Sequence, residues 1–362
     1  MACTGALRPY PACPKSAMKF EHVHIESFGH ALPKVSTSSE ELERELDPVY
    51  RKLGLSVGRL ELMSGIRERR FWPEGTRPSD VATRAAQSAI KKAGIPRERI
   101  GLMINASVCR DFMEPATASV VHGALGLSET CAAFDLSNAC LGFVNAMTMV
   151  AQSIDAGVIE AGLVVAGEDG GPLVRQTLRS LIENEWVTRR DVKTAYASLT
   201  IASGAAACVL TRDTLSNSST KLVCSVSRAA TEHVKLCQGD HTPGMAGPLM
   251  ETDSESLLHA GNALAARTWE SFLTELNWDE QDIDRVITHQ VGAAHRRLLL
   301  ETLEIDSTKD FPTFGSLGNI GSVSLPLTFD LAQETGHIEA GQQVAMLGIG
   351  SGLHCCMLGV RT

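Results

Sequence analysis

Cys140 has the clearest chemical setting in the chain. It follows the strand-like segment AAFDL (132–136) and the turn residues Ser137 and Asn138, and an almost entirely apolar helix pattern covers residues 138–154. Serine and asparagine are common helix N-caps, and the partial positive charge of a helix N-terminus stabilises a thiolate and lowers the pKa of a cysteine. The free N–H groups there can also bind an oxyanion. The alternative interpretation is a small cysteine buried by an apolar helix.

His289, Asn319 and Glu114 are the other residues whose settings suggest chemistry. His289 ends the apolar segment RVITHQVG, and site residues of α/β proteins commonly follow strand ends. Asn319 lies in GSLGNIGS, where glycines permit a tight turn. Glu114 precedes Pro115, which fits the first position of a helix, so its carboxylate is expected near a helix start. Each residue also has a purely structural interpretation: a buried histidine, a loop amide and a favourable charge at a helix end.

A glycine-rich turn, GIGSG (348–352), follows the strand-like segment VAML. Its spacing is GxGxG rather than GxGxxG, and the ten residues after it leave no room for a further βαβ unit, so we expect no dinucleotide site. The backbone N–H groups of this turn could instead bind an oxyanion. His22 and His24 share one face of a strand pattern without further ligands, so no metal site is expected.

Alternating helix and strand patterns must position these residues. A helix is predicted over 78–93, with Ser79 as its N-cap and Gly94 as its stop signal. Apolar runs at 100–108 and 161–169 have the length and composition of buried strands. This alternation predicts an α/β protein whose sheet is covered by helices on both faces.

An internal repeat organises these elements into two halves. The block IEAG begins at Ile159 and again at Ile338, an offset of 179 residues. The segments SGAAACVL (203–210) and SGLHCCML (351–358) repeat at an offset shorter by 31 residues, which locates an insertion at about 170–200 in the first half. Self-similarity in a common order indicates duplication.

The duplication predicts the domain organisation and pairs two of the candidate residues. We expect a disordered N-terminal extension over 1–17, a first half over 18–212 and a second half over 213–362. The offset of 179 places Cys140 opposite Asn319, and each of them precedes a long apolar helix pattern. Two equivalent helix starts, one with a thiol and one with an amide, are therefore expected to face each other at a single site.

Composition and charge exclude several classes of protein. The 33 basic and 42 acidic residues give a net charge of -9, which disfavours sequence-independent binding to nucleic acid. No window approaches the ~18 consecutive apolar residues of a membrane span. The ten cysteines show no CxxC spacing, which is typical of reduced thiols in a cytoplasmic protein.

The motifs SNACLGF, THQV and GNIGS, together with the two halves and the GIGSG turn, resemble the thiolase superfamily and its ketoacyl synthase III branch. The segments SVCRDFMEPATASVV and FDLSNACLGFVNAM are similar to the head-to-head acyl-condensing enzymes of bacterial long-chain olefin biosynthesis. Glu114 occupies the glutamate position of their D-[FY]-x-E-P motif. The resemblance implies a thiolase fold, in which two duplicated α/β halves form a five-layer αβαβα sandwich.

The resemblance also implies a reaction. It is the non-decarboxylative Claisen condensation of two fatty acyl-CoA molecules to a 2-alkyl-3-oxo acid, with no cofactor besides the CoA thioester substrate. Cys140 would carry the first acyl group, with the N–H groups of Cys140 and Ser351 as oxyanion hole. Glu114 would remove the α-proton of the second acyl-CoA, while His289 and Asn319 bind its thioester carbonyl.

Further implications concern binding and assembly. Arg67, Arg69 and Arg70, in GIRERRFW, lie where relatives bind the thioester carrier and are candidates for CoA phosphates, with Gly350 also lining the substrate site. A solvated basic turn is the alternative interpretation of these arginines. The resemblance implies a homodimer, in which Glu114 reaches the neighbouring subunit's site, and downstream enzymes of olefin formation as partners.

Three alternative functions stay open at this point. A decarboxylating 3-oxoacyl-carrier-protein synthase III and a hydroxymethylglutaryl-CoA-synthase-like enzyme use similar residues. A non-catalytic partner subunit with the same fold is the third, and the intact set of Cys140, His289 and Asn319 argues against it. Glu114 distinguishes non-decarboxylative condensation from the decarboxylating synthase, because an unactivated acyl thioester is a weak carbon acid that needs a base.

Overall fold

The computed structural model describes residues 17–241 and 247–362. The predicted extension 1–17 lies outside the described residues, except for Ala17, which is the first residue of a strand. The described strands are β1 (Ala17–Lys19), β2 (Val23–Ala31), β3 (Ser36–Ser38), β4 (Glu68–Arg70), β5 (Ile100–Asn105), β6 (Ala132–Asp135), β7 (Ala161–Glu168), β8 (Gly204–Arg212), β9 (Lys221–Ala229), β10 (Cys237–His241), β11 (Pro248–Thr252), β12 (Arg285–Thr288), β13 (Gln343–Gly350) and β14 (His354–Arg361).

Helices alternate with these strands along the chain. They are α1 (Ser39–Glu45), α2 (Asp47–Leu53), α3 (Arg59–Ser64), α4 (Pro78–Ala93), α5 (Thr117–Leu125), α6 (Gly142–Asp155), α7 (Gly171–Glu183), α8 (Arg189–Leu199), α9 (Ser254–Leu276), α10 (Ala293–Thr302), α11 (Phe314–Leu317) and α12 (Ser324–Glu334). Among the described residues, no helix combines the length and the apolar character needed to cross a membrane.

The main sheet consists of two arrays with the same arrangement. In the first array, β5 pairs in parallel with β6 and β7, and β8 pairs antiparallel with both β7 and β2. In the second array, β12 and β13 are parallel, and β14 pairs antiparallel with both β13 and β9. The arrays join where β2 meets β9, so the strand order is β12-β13-β14-β9-β2-β8-β7-β5-β6. The repeated order confirms the predicted duplication.

Helices form three layers, one between the two arrays and one on the outer face of each array. Helices α6 and α12 form the central layer, and each packs against strands of both arrays in one apolar core. Helices α4 and α5 cover the outer face of the first array, and α9 and α10 cover that of the second. The order helix, strand, helix, strand, helix confirms the predicted five-layer sandwich of the thiolase fold.

The predicted insertion forms a pair of helices. Helices α7 and α8 pack against each other and against α2 and β11, and their apolar side chains share a buried cluster with α1 to α3. Within that cluster the buried carboxylate of Glu43 accepts hydrogen bonds from the Tyr50 hydroxyl at 2.8 Å and the Leu60 N–H at 2.9 Å. These helices have no counterpart in the second half between β13 and β14.

Two helix N-termini differ from the prediction, one in its N-cap and one in its first residue. Helix α4 spans 78–93 as predicted and ends at Gly94 in the left-handed region (φ 68°), but Arg77 is its N-cap. Ser79 instead donates its hydroxyl to Asp111. The helix after Glu114 begins at Thr117 rather than Pro115, because the Asp135 carboxylate at the end of β6 accepts its first N–H groups, at 3.0 and 2.8 Å.

Candidate active site

Cys140 lies in a tight turn between β6 and α6. Ala139 has a φ of 45°, a left-handed conformation that is uncommon for a residue with a Cβ atom. Helix α6 begins at Gly142 rather than at residue 138, and neither Ser137 nor Asn138 caps it. A Cβ atom on Gly142 would lie 2.6 Å from the Ala106 carbonyl oxygen, so the close approach of this turn to the end of β5 requires glycine.

The surroundings of Cys140 favour the thiol over the thiolate. Burial of the sulfur, with the negative charges of Cys237 and Glu168 as further causes, raises the pKa of Cys140 to about 12. Its own backbone N–H acts in the opposite direction but does not compensate. The predicted lowering of this pKa by the helix N-terminus is therefore wrong for the free protein, and activation of the nucleophile needs a proton acceptor.

His289 is a buried and neutral imidazole. It follows β12, and its backbone N–H donates to the Leu347 carbonyl at 3.0 Å. Only 3% of the residue is exposed, and its Nδ1 has no partner among the described residues. Burial, with a smaller contribution from His295, lowers the pKa of His289 to about 3. A buried ring nitrogen without a hydrogen-bond partner is uncommon in folded proteins, which makes His289 a candidate for a functional role.

Gln290 fixes the chain beside this histidine. Its Nε2 donates to the Thr288 carbonyl at 2.7 Å, and its Oε1 accepts from the N–H groups of Thr313 and Phe314 at 2.7 and 3.0 Å. The side chain is 1% exposed. Because Gln290 satisfies the neighbouring backbone groups, the imidazole is left to interact with a ligand.

Asn319 is held by its backbone and by one side-chain atom. Its N–H donates to Thr200 at 3.0 Å, its carbonyl accepts from Ala202 at 2.8 Å, and its Oδ1 accepts from the Gly321 N–H at 3.0 Å. No described residue accepts a hydrogen bond from its Nδ2. The amide therefore offers its NH₂ group as a donor to a substrate oxygen.

The end of β13 joins the second half to the Cys140 turn. A Cβ atom on Gly350 would lie 3.2 Å from Leu141 Cγ and 3.5 Å from the Cys140 nitrogen. His289 is hydrogen-bonded to the same strand through Leu347. Ser351 follows directly and is half-buried, and its part in an oxyanion hole stays a prediction. The fold thus brings Gly350 and the strand that supports His289 to Cys140.

Glu168 is a site residue that the sequence interpretation missed. It ends β7, is 4% exposed and accepts hydrogen bonds from the N–H groups of Val108 (2.8 Å) and Cys109 (3.0 Å) and from the Ser322 hydroxyl (2.6 Å). Its charge is among those that raise the pKa of Cys140. The available signal was an acidic residue that ends the otherwise uncharged strand AGLVVAGE.

Glu114 is not brought to Cys140 within one chain. It lies on an exposed loop, has no hydrogen-bond or ion-pair partner among the described residues, and follows Met113, which is 100% exposed. Phe112 on the same loop is 41% exposed and lies 5.4 Å from the Arg77 guanidinium, measured to the ring centroid. The carboxylate of Glu114 is therefore presented outward.

The three arginines proposed for CoA phosphates have different environments. Arg69 is fully buried, its Nη2 donates to Ser39 Oγ at 2.9 Å, and burial lowers its pKa to about 10. The structure contradicts its predicted contact with a phosphate, because α1 covers it. Arg70 is half-buried and donates to the Pro33 carbonyl at 3.2 Å. Arg67 is exposed and is the one of the three whose guanidinium is open to an anionic ligand.

The chain is similar to known proteins over almost its whole length. Three family models match the chain: the N-terminal domain of thiolase over 72–171, 3-oxoacyl-[acyl-carrier-protein] synthase III over 134–229, and the C-terminal part of that synthase over 273–361. An acyl-CoA:acyl-CoA alkyltransferase of Shewanella oneidensis is 41% identical, over 95% of this chain and 100% of the relative. This chain belongs to the acyl-CoA:acyl-CoA alkyltransferase family.

Two further comparisons place the family within its superfamily. A β-ketoacyl-[acyl-carrier-protein] synthase III of Clostridium tetani is 25% identical, over 93% of this chain and 97% of the relative. The crystal structure of a cysteine variant of Xanthomonas campestris OleA, with bound lauric acid and lauroyl-CoA, is similar with a TM-score of 0.89 and 37% identity, over 95% of this chain and 100% of that one. Members of the alkyltransferase family are enzymes of the acyltransferase class.

Proposed function

We propose that the protein condenses two fatty acyl-CoA molecules without decarboxylation. Two acyl-CoA molecules and one water give one 2-alkyl-3-oxoalkanoic acid and two CoA molecules. The observation that carries the proposal is the whole-length identity to an alkyltransferase, 41% against 25% for the carrier-protein synthase. Cys140, His289 and Asn319 supply the chemical groups that such a reaction needs.

The first step is transfer of an acyl group to Cys140. Because the pKa of Cys140 is raised to about 12, the sulfur begins as a thiol and loses its proton as it attacks the thioester carbonyl. In this proposal His289, which is neutral, accepts that proton as the sulfur attacks and passes it on to the sulfur of the departing CoA. The oxyanion is held by the N–H groups of Cys140 and Ser351, and CoA leaves as the thiol after taking up a proton.

The second step forms the carbon–carbon bond. Glu114 removes an α-proton from the second acyl-CoA, and the imidazole of His289 and the NH₂ group of Asn319 bind the enolate oxygen. The α-carbon attacks the carbonyl carbon of the Cys140 acyl thioester, and the carbon–sulfur bond breaks to release the Cys140 thiolate. Water then hydrolyses the β-ketoacyl-CoA to the acid and CoA.

In this proposal, a second subunit supplies the Glu114 that acts at each site. The Glu114 loop is exposed, with Phe112 and Met113 presenting apolar surface. Strand β6 is the edge of the sheet, and its Phe134 is 39% exposed. We propose a homodimer that covers these apolar groups and places Glu114 in the partner's site.

The proposal also covers the binding of CoA, the need for a cofactor and the cellular setting. Arg67 is the candidate for a CoA phosphate, since its guanidinium is exposed whereas Arg69 is buried. No cofactor besides the CoA thioester takes part in the steps above. The proposed setting is the cytoplasm, with enzymes of long-chain olefin formation acting on the β-keto acid.

A panel of acyl-CoA chain lengths tests the function. The purified protein is given each acyl-CoA without a malonyl donor, and the products are measured by mass spectrometry together with free CoA. The expected result is a 2-alkyl-3-oxo acid and two equivalents of CoA from long-chain substrates. Product only after addition of malonyl-carrier protein would instead identify a decarboxylating synthase.

A further inference from the structure

Glu168 is a buried acid whose partners are all hydrogen-bond donors. Its two oxygens accept from Val108 N, Cys109 N and Ser322 Oγ at 2.6 to 3.0 Å. No lysine, arginine or histidine forms an ion pair with it in residues 17–241 and 247–362. Three donors directed at two oxygens suit an ionised carboxylate, which can only accept, and keeping such a group in the core without a cation is costly.

The partners of Glu168 belong to two different parts of the site. Val108 and Cys109 begin the loop that leads to Glu114, whereas Ser322 belongs to the turn that follows Asn319. A Cβ atom on Gly321 would lie 3.6 Å from Glu168 Oε1, so this turn is packed directly against the carboxylate. One side chain therefore links the loop of the proposed base to the turn of the proposed enolate donor.

Burial raises the pKa of Glu168, while the hydrogen bonds from Ser322, Val108 and Cys109 act to lower it. The contacts that join the loop to the turn therefore also stabilise the carboxylate in its charged form.

We propose that Glu168 is a positioning residue, which holds the loop leading to Glu114 against the Asn319 turn. This inference rests on the proposed function, because its consequence is a change in the rate of the condensation step.

The variant Glu168→Gln tests the inference, since it keeps the shape of the side chain but puts an NH₂ group in place of one acceptor oxygen. At least one of the three donors then loses its partner. Condensation is expected to slow on the order of tenfold or more, with single-turnover acylation of Cys140 retained. Mass spectrometry measures both the condensation product and the acyl group on Cys140.

Ser322→Ala is the matched variant, because it cuts the link to the Asn319 turn and leaves the carboxylate with its contacts to Val108 and Cys109. Its condensation rate should also fall, with acylation of Cys140 retained. Glu168→Asp keeps the charge on a shorter side chain and should behave in the same way. These two variants keep the inference testable if Glu168→Gln does not fold.

Two results would overturn the inference. Unchanged condensation in both Glu168→Gln and Ser322→Ala would refute the link between the loop and the turn. An equal loss of acylation and condensation would mean a general structural role instead. If the unchanged protein fails to condense acyl-CoA, the proposed function fails, whereas the inference fails when the unchanged protein condenses acyl-CoA and both variants match its rate.

Discussion

Strands β7 and β13 occupy equivalent places in the two halves, yet they end on different residues. Strand β7 ends at Glu168, which binds the Ser322 hydroxyl in the turn of the second half. Strand β13 ends at Gly350, whose missing side chain allows the strand to approach the Cys140 nitrogen in the turn of the first half. Each half therefore supports the other half's turn.

The difference between these strand ends explains how a duplicated frame acquired two roles. The carboxylate anchors the Asn319 turn, so that its amide can donate in a fixed direction. The glycine leaves space at Cys140, where an acyl group and an oxyanion must fit. At these equivalent positions, Glu168 anchors the Asn319 turn, whereas Gly350 leaves space beside the Cys140 turn.

Among the changes at the two turns, removal of the nucleophile should have the largest effect on activity. Cys140→Ala is expected to abolish acylation, more than about 10³-fold, because no other described cysteine lies in such a turn. The measurement is trapping of an acyl group from radiolabelled acyl-CoA. Cys131→Ser, at a buried thiol in the outer core of the same half, is the control and should acylate normally. Acylation of the Cys140→Ala protein would place the nucleophile elsewhere.

Changes to the Asn319 turn should affect only condensation, the step that follows acylation of Cys140. Asn319→Ala is expected to slow condensation by roughly 10²-fold, because a donor to the enolate oxygen is lost. Asn319→Asp retains an acceptor for the Gly321 N–H but loses the NH₂ group, so it should be similarly slow. Burst and steady-state release of CoA separate the two steps. An equal loss of acylation would contradict the division of labour between the turns.

The two halves should also differ in their response to acid. His289 and His295, both in the second half, have pKa values lowered by burial to about 3 and about 4. The unfolded chain therefore binds more protons below about pH 6.5, and the free energy of unfolding falls as the pH decreases from there. Each histidine should contribute a loss of about 2 kcal/mol between pH 7.5 and 5.

Urea unfolding at the two pH values checks this expectation. His295→Asn, which leaves the Cys140 turn and Asn319 unchanged, should lose about 2 kcal/mol less than the unchanged protein on acidification. An identical loss in both proteins would mean that His295 titrates normally in the folded state.

The smallest effect on activity is expected at Gly350, where β13 ends next to Cys140. Gly350→Ala would place a Cβ atom 3.2 Å from Leu141 Cγ and 3.5 Å from the Cys140 nitrogen, a tight fit that slows acylation by roughly tenfold. Gly123→Ala, on α5 with no atom within 4 Å of its new Cβ, is the matched control. Equal acylation rates in the two variants would show that the space at Gly350 is not needed.

The sequence was sufficient to predict the frame and the places of three candidate site residues, whose roles stay predictions. The repeat placed Cys140 and Asn319 in equivalent turns, and the strand end placed His289, because these features depend on local pattern and on the duplication. Helix α4 was located over its whole length for the same reason, although its cap was misassigned.

The remaining features depend on contacts between distant parts of the chain. Glu168 accepts hydrogen bonds from Val108 and Ser322, which are 60 and 154 residues away in sequence. No local sequence pattern predicts such contacts. The same residue helps to reverse the expected pKa shift of Cys140. Arg69 lies in a basic segment that resembles a solvated turn, but Ser39 of α1 covers it.

The central layer has a consequence for the origin of the molecule. Helices α6 and α12 come from different halves, and each packs against strands of both. A half on its own would therefore leave a large apolar face in water. A protein consisting of one half would need a second copy of itself to cover that face, and joining two such copies in one chain would free the halves to diverge.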